Sequence, residues 1–326
     1  MDVTLINSFQ YGYETINVLE TFREDLCYIG EYDSEYTEKV NKNGAKEHKF
    51  RIAPTDMCVI VNGHVYFADA RNYSISCLSP SGSVSTVIST DPLGLGGICQ
   101  SMDGGLLVTL MDKESNPYKL VSHSRRLVKH ITLTDDVIHE YEYQEDGQTR
   151  LFTMPGHLTQ NSNSDICVVN ETCGSCIGEL VIMSSSDHLK SVYHGQDLTK
   201  NFAPSDVVCD FLCNILVTDP LNDQIHLLSS EGEFLKFLLT ENEVYGPYSL
   251  SLYKSTLWKK KTKEREAQLE KELLELEQNR TDNNANEPSH AKRALKVKSY
   301  QKFKTFNRKK QIVNGEMENY EANFTI

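Results

Sequence analysis

Two aspartates, Asp56 and Asp206, open apolar runs of the same design 150 residues apart. Carboxylates at the start of strands lining a shared channel could hold calcium, which asks for six to eight oxygen ligands. The two other places where such a run begins, Gly96-Gly97-Ile98-Cys99 and Gly156-His157-Leu158-Thr159, bring no acid. The competing role for the aspartates is to bond backbone N–H groups where repeated units meet. A second set is Asp69 with Asn72 and Asp219 with Asn222, short polar pairs that either brace their own turns or present a recognition surface. Cys173-Gly174-Ser175-Cys176 is a lone CxxC. Zinc would need a second pair, with only His157 and His188 nearby, and a thioredoxin-like motif would need a following helix, so a hairpin turn carrying two thiols is expected. No Gly-x-Ser-x-Gly elbow and no phosphate-binding Gly-x-x-x-x-Gly-Lys-Ser/Thr is present. The residues therefore point to no catalytic group, no metal and no cofactor.

The elements that would position these groups are short strands. Ser205–Leu252 contains apolar-rich runs of about five residues, separated by Asp219-Pro220-Leu221-Asn222-Asp223 and Glu231-Gly232, the spacing of an all-β sandwich, barrel or propeller. Shifted by 150 residues, the unit falls on Pro54–Thr90 without a gap. Asp69, Asn72, Ile75 and Gly82 then lie over Asp219, Asn222, Ile225 and Gly232, while Val65 and Phe67 lie over Ile215 and Val217. Self-similarity in a unit of roughly 40 residues with four strands is the mark of propeller blades.

Taken in order, Val3–Phe9 is expected to close the ring by pairing into the last blade, since an unpaired edge is a liability. Blade one covers Thr15–Arg51, with Asn41-Lys42-Asn43-Gly44 as a hairpin turn. Blade two covers Thr55–Ser89 and blade three about Gly94–Leu133. Ile138–Arg150 has the composition of an insertion, ahead of blade four with strands at Gly156–Gln160, Ser164–Asn170, Gly178–Met183 and His188–Tyr193. Blade five is Ser205–Leu239. Blade six starts at Pro247–Leu252 and Ser255–Trp258 and then stops. The expected architecture is an all-β, six-bladed β-propeller over residues 1–258, its sixth blade incomplete. A charged helix over 259–280 and a basic, largely disordered tail over 281–326 follow. Leu269, Leu273 and Leu276 share one helix face, fewer than two heptads and too few for a stable coiled coil.

The motif Pro204-x-Asp206…Asn214-Ile215-Leu216-Val217-x-Asp219-x-x-Asn222-x-x-Ile225…Gly232, and its copy from Pro54 to Gly82, resembles an NHL repeat. The chain is similar over about Val3–Trp258 to the C-terminal propeller of tripartite-motif (TRIM)/NHL proteins, particularly the divergent set expanded in bivalve molluscs. It departs from that pattern at Gln224 and Ser74, where the family has Arg, and at Cys213, where a turn Gly is usual. It also lacks the cysteine and histidine array of a RING or B-box, so ubiquitin transfer does not carry over. The resemblance implies a non-catalytic interaction module that recruits a protein or peptide to a ubiquitin ligase or regulatory scaffold. Arg71, Tyr73, Asn222 and Asp223 are the candidate contacts, because rim loops on a rigid scaffold carry binding and Tyr and Arg anchor interfaces. The alternatives are an RNA-binding NHL propeller, or a calcium-dependent hydrolase with the architecture of six-bladed lactonases.

Charge bears on these choices. Of the net −13 over 326 residues, residues 1–258 hold 17 Lys and Arg against 35 Asp and Glu. An acidic body is a poor partner for nucleic-acid phosphates. Lys259-Lys260-Lys261 and Arg308-Lys309-Lys310, with Tyr300, Phe303 and Phe306, could contact RNA or direct nuclear import, but a solvated tail is the simpler role. No apolar run is long enough to span a membrane and the N-terminus does not read as a secretory signal, so a cytoplasmic protein with reduced cysteines is expected.

Overall fold

The computed structural model describes residues 15–252 apart from residue 24, residues 32–33, residue 61 and residues 113–115, together with residues 324–325. Among these residues there is no α-helix; strands make up the regular structure. Five antiparallel four-stranded sheets follow one another, each with its strands in sequence order. Blade one is β1 (Val18–Arg23) to β4 (Lys46–Phe50), with β2 (Leu26–Gly30) and β3 (Thr37–Asn41) between. Blade two is β5 (Asp56–Val59), β6 (Val65–Asp69), β7 (Ser74–Leu78) and β8 (Val84–Ser89). Blade three is β9 (Leu93–Gln100), β10 (Leu106–Asp112), β11 (Arg126–Ile131) and β12 (Val137–Tyr141). Blade four is β13 (Met154–Gln160), β14 (Ile166–Glu171), β15 (Gly178–Met183) and β16 (Leu189–Tyr193). Blade five is β17 (Val207–Cys209), β18 (Ile215–Asp219), β19 (Gln224–Leu228) and β20 (Phe234–Leu239).

The packing explains why the central strands read as solid apolar runs. Val65–Asp69 and Ile215–Asp219 are buried at every position because both faces are covered, in blade two by blades one and three and in blade five by blade four and by Val244 and Leu250. The cores accordingly lie between blades: Ala68, Ile75, Ile98 and Leu106 between two and three, Leu107, Val128, Leu158 and Val168 between three and four, and Val169, Leu180, Ile215 and Val217 between four and five. The outermost strands face solvent. β4 exposes Lys46, Glu47, His48 and Lys49, and charge on an outer edge discourages pairing with another chain.

Blades two and five keep their 150-residue register through the second, third and fourth strands. Tyr73 and Asp223, equivalent under that shift, both adopt positive φ, at 51° and 53°. Gly82 and Gly232 close matching turns at φ 89° and 83°, a conformation that favours glycine. The fourth strand of blade three is Val137–Tyr141, so the segment expected to be an insertion begins inside that blade.

The blade count differs from expectation. Among the described residues five complete blades form rather than six, followed by β21 (Ser251–Leu252), paired with β22 (Phe324–Thr325). Ser249–Ser251 links the ends of the ring. Asp206 of blade five accepts from Leu250 N at 2.8 Å, while the Ser249 and Ser251 hydroxyls accept from Leu19 N and Thr21 N of blade one, at 3.1 and 2.8 Å. The expected closing strand Val3–Phe9, the helix over 259–280 and the basic tail up to residue 323 lie outside the described residues.

Buried inside blade three is Arg126, fully sequestered, whose guanidinium donates to the Asp112 carboxylate and to the Thr153, Asp112 and Arg125 carbonyls. Residues Thr153 and Asp112 belong to opposite sides of the junction with blade four, so this one side chain holds that junction together.

Candidate functional site at the propeller axis

The first strand of each blade starts at the axis, and there the chain places polar groups that hold the next blade. The Glu20 carboxylate accepts from Val59 N of blade two at 3.1 Å. Asp56 accepts from Ile98 N of blade three at 2.8 Å and from its neighbour Met57 N at 2.7 Å. Asp206 accepts from Val207 N at 2.7 Å, Leu250 N at 2.8 Å and the Ser249 hydroxyl at 2.9 Å. In blade three a hydroxyl takes this role: Thr109 accepts from Gly97 N and donates to the Gly156 carbonyl. The aspartates thus make the blade-junction backbone bonds, and something further besides.

Blade four contributes His157. Its Nδ1 lies 3.4 Å from Asp56 and 3.5 Å from Asp206, bridging two carboxylates from blades on either side. The three side chains retain 18%, 11% and 9% of their exposure, so they are screened but reachable from the channel. Burial by itself disfavours the imidazolium, yet the two carboxylates outweigh it and lift the His157 pKa to about 9. Burial pushes Asp56 up to about 6, with the His157 charge pulling the other way and the Asp206 charge adding to the rise. Asp206 spends its oxygens on three donors besides His157, so it anchors the ring. Asp56 has two donors and more lone-pair capacity left. With Nδ1 turned to the carboxylates, Nε2 is the ring's remaining nitrogen.

Two glycines let the histidine come this close. A Cβ on Gly97 would stand 2.6 Å from the Gly156 carbonyl oxygen and 2.9 Å from His157 Cα, and one on Gly96 would stand 2.5 Å from the Pro155 oxygen. Gly97→Ala is expected to push β13 outward, costing about 1–3 kcal/mol of stability, as overpacking does. A chemical denaturation curve would show it, and the His157 ring signal should shift at the same time.

Both pKa changes run the same way for stability. Each group binds its proton more tightly folded than unfolded, so stability is fully present below the unfolded value and is lost as pH rises through the folded one. For Asp56 that loss falls between about 4 and about 6; for His157 it falls between 6.5 and about 9. The histidine share is about 3 kcal/mol. Denaturation midpoints of the wild type should therefore fall across the upper window relative to those of a His157→Gln variant, and parallel curves would contradict the ion cluster.

This arrangement does not suit calcium. The His157 ring stands between the Asp56 and Asp206 carboxylates, their oxygens already accept from N–H and O–H donors, and the described residues contain no group of three or more metal-ligating side chains. The zinc alternative fails as well. Cys173 and Cys176 sit in the turn between β14 and β15, His157 lies at the axis, and His188 pairs with Glu145 at 3.0 Å.

The residues expected to bind a partner stand elsewhere. Asp69 accepts from Arg71 N, Asn72 N and the Asn72 amide, and Asp219 accepts from the Asn222 amide at 2.8 Å, so both pairs brace the turns they sit in. Arg71 and Tyr73 belong to the β6–β7 turn of blade two, Asn222 and Asp223 to the β18–β19 turn of blade five. Sequence inspection missed His157 as a functional group because it looked for acids at the axis. The available signal was a histidine in one of the two inner strands that bring no acid.

No protein-family model matches the chain, and no curated protein matches it. Solved structures do. The PQQ-bound aldose sugar dehydrogenase of Streptomyces coelicolor is similar with a TM-score of 0.55 at 10% identity, covering 76% of this chain and 87% of that one. A catalytically inactive histidine-to-alanine variant of virginiamycin B lyase from Staphylococcus aureus, holding quinupristin, is similar at 0.52 and 14% identity, over 72% and 74%. Regucalcin, a calcium-binding protein from Agrobacterium tumefaciens, is similar at 0.50 and 10%, over 72% and 78%. These likenesses support the β-propeller and nothing specific to NHL or TRIM proteins. Two of the three are enzymes by name and none is a recruitment scaffold, so the expectation of a non-catalytic interaction module is corrected.

Proposed function

We propose that this propeller is a hydrolase acting on a neutral ester or lactone, with His157 as general acid and Asp56 as general base. The observation that carries it is the placement of His157 between Asp56 and Asp206 at the axis, with the imidazole and the Asp56 carboxyl both perturbed and coupled to one another, the arrangement expected of an acid–base pair. At neutral pH His157 keeps a proton that Nε2 can give to the leaving oxygen. Asp56, largely ionised there, can take a proton from an attacking water through its remaining lone pairs. Asp206 holds the ring by its Nδ1 side and keeps the charge in place. Nothing in this scheme runs through calcium, because the donors do not fit it.

The test is a panel of aryl esters and five- and six-membered lactones, assayed with wild type and His157→Gln, with and without a calcium chelator. Hydrolysis of at least one class, insensitive to the chelator and reduced in the variant, is expected. Turnover that needs added calcium, or that survives the substitution, would contradict the assignment.

A further inference from the structure

The turn between β14 and β15 carries two thiols that the axial chemistry does not use. The two strands pair with Asn170 opposite Glu179 and Glu171 opposite Gly178. The same register puts Thr172 opposite Ile177, where the Thr172 N–H donates to the Ile177 carbonyl at 2.9 Å. One step further out, Cys173 stands opposite Cys176, with Gly174-Ser175 as the tip. The cysteines are thus the first and last residues of a tight turn, whose ends lie within about 7 Å at Cα. A disulfide needs Cα atoms about 4.4–6.8 Å apart. Residues directly opposite on a hairpin put their side chains on one face, with Cβ atoms about 4.5–5.5 Å apart. A small closing of the turn therefore brings the two sulfurs to bonding distance.

Exposure sets this pair apart from the other thiols. All nine cysteines lie among the described residues; Cys176 alone is exposed, and Cys173 is half-buried. Cys167 and Cys209 have sulfurs 4.0 Å apart across the junction of blades four and five, but they are 0% and 6% exposed, out of reach of an oxidant in solution. The β14–β15 turn is also held in place. Glu171 Oε1 accepts from Cys176 N at 3.1 Å and from the Tyr118 hydroxyl at 2.8 Å. Tyr118 belongs to the β10–β11 connection, and a Cβ on Gly174 would stand 3.3 Å from its ring. Burial, then the Glu171 and Cys173 charges, hold the Cys176 thiol above its ordinary range. A thiol that gives up its proton reluctantly is a poor leaving group, so a disulfide once formed there resists reduction.

We propose that Cys173 and Cys176 are a redox modification site, closing reversibly to a disulfide by exchange with low-molecular-weight disulfides. The thiolate of the exposed Cys176 attacks one sulfur of the small disulfide, forming a mixed disulfide and releasing one small thiolate. The Cys173 thiolate then attacks the Cys176 sulfur, closing the Cys173–Cys176 bond and releasing the second. The two cysteine protons pass to the departing thiolates, so the cysteines are oxidised and the small disulfide is reduced to two thiols. The site is independent of the axial one and is measured without any turnover. Full-length protein is equilibrated with reduced and oxidised glutathione, quenched with acid, alkylated and cleaved after glutamate, which isolates residues 172–179 from Cys167. The wild-type peptide should lose two hydrogens and take up no alkylating agent, and Cys173→Ser should stop at the mixed disulfide on Cys176. The folded chain should hold the bond at a glutathione ratio about ten-fold more reducing than the same chain in urea, because the turn keeps the thiols together. If the folded wild type stays a dithiol or stops at the mixed disulfide, or if the native and urea ratios coincide, the fold does not pair these thiols and the proposal is wrong.

Discussion

His157→Gln should abolish most of the activity and loosen the ring together. The substitution keeps a polar side chain of similar reach but removes the proton that Nε2 gives away, so kcat should fall by about 100-fold or more, the usual weight of a positioned acid. It also leaves Asp56 and Asp206 without the cation between them. Taking one partner from a buried ion pair costs about 3–5 kcal/mol, because the remaining charge stays desolvated. The two effects separate by a second change. Adding Asp56→Asn to the glutamine variant removes the unpaired charge and should recover much of the stability while restoring no activity. Urea denaturation and steady-state kinetics on the single and double variants check both halves; a stable, fully active single variant would contradict the axial assignment.

Arg126→Met is expected to be as damaging by a different route. The guanidinium has no exposed surface and serves the Asp112 carboxylate and three carbonyls across the junction of blades three and four. Methionine fills a similar volume but removes the guanidinium's donors from the Thr153 carbonyl and from the Asp112 carboxylate, which is one-fifth exposed and keeps its bond from Arg125 N. A loss of about 3–5 kcal/mol follows. Lysine should not rescue it, since a point charge cannot reproduce the planar fork. The equilibrium unfolding midpoints of the Met and Lys variants measure this directly, and a midpoint within error of wild type would contradict the role given to Arg126.

How much of this could be read beforehand depends on which signal each feature leaves. Blades two and five were legible because turn residues and strand residues repeat together: Asp69 with Asp219, Asn72 with Asn222, Gly82 with Gly232. Their second, third and fourth strands fall in the same register in the structure. Blade three's last strand, Val137–Tyr141, was not legible. It runs directly into the acidic, polar stretch that ends at Arg150, and the two together look like an insertion. The sixth place could not be counted, because closure depends on Ser249–Ser251 bonding to blade one, a contact spanning some 230 residues that leaves no local pattern.

The axial site was half legible. Asp56 and Asp206 were identified at the channel with the right competing role, bonding across the blade junction. His157 was set aside because the expected site was a ring of oxygens, and a single histidine in Gly156-His157-Leu158 carries no spacing pattern. What makes it functional is topological. The ring brings blade four's first strand between two carboxylates located 101 residues before it and 49 after.

The most direct measurement is the pH dependence of kcat/KM on whichever ester or lactone the enzyme turns over. The free-enzyme profile should be a bell, rising through about 6 as Asp56 loses its proton and falling through about 9 as His157 loses its own. The alkaline limb should vanish in His157→Gln. A profile without that limb in the wild type, or one whose alkaline limb survives the substitution, would contradict the claim that the axial histidine supplies the catalytic proton.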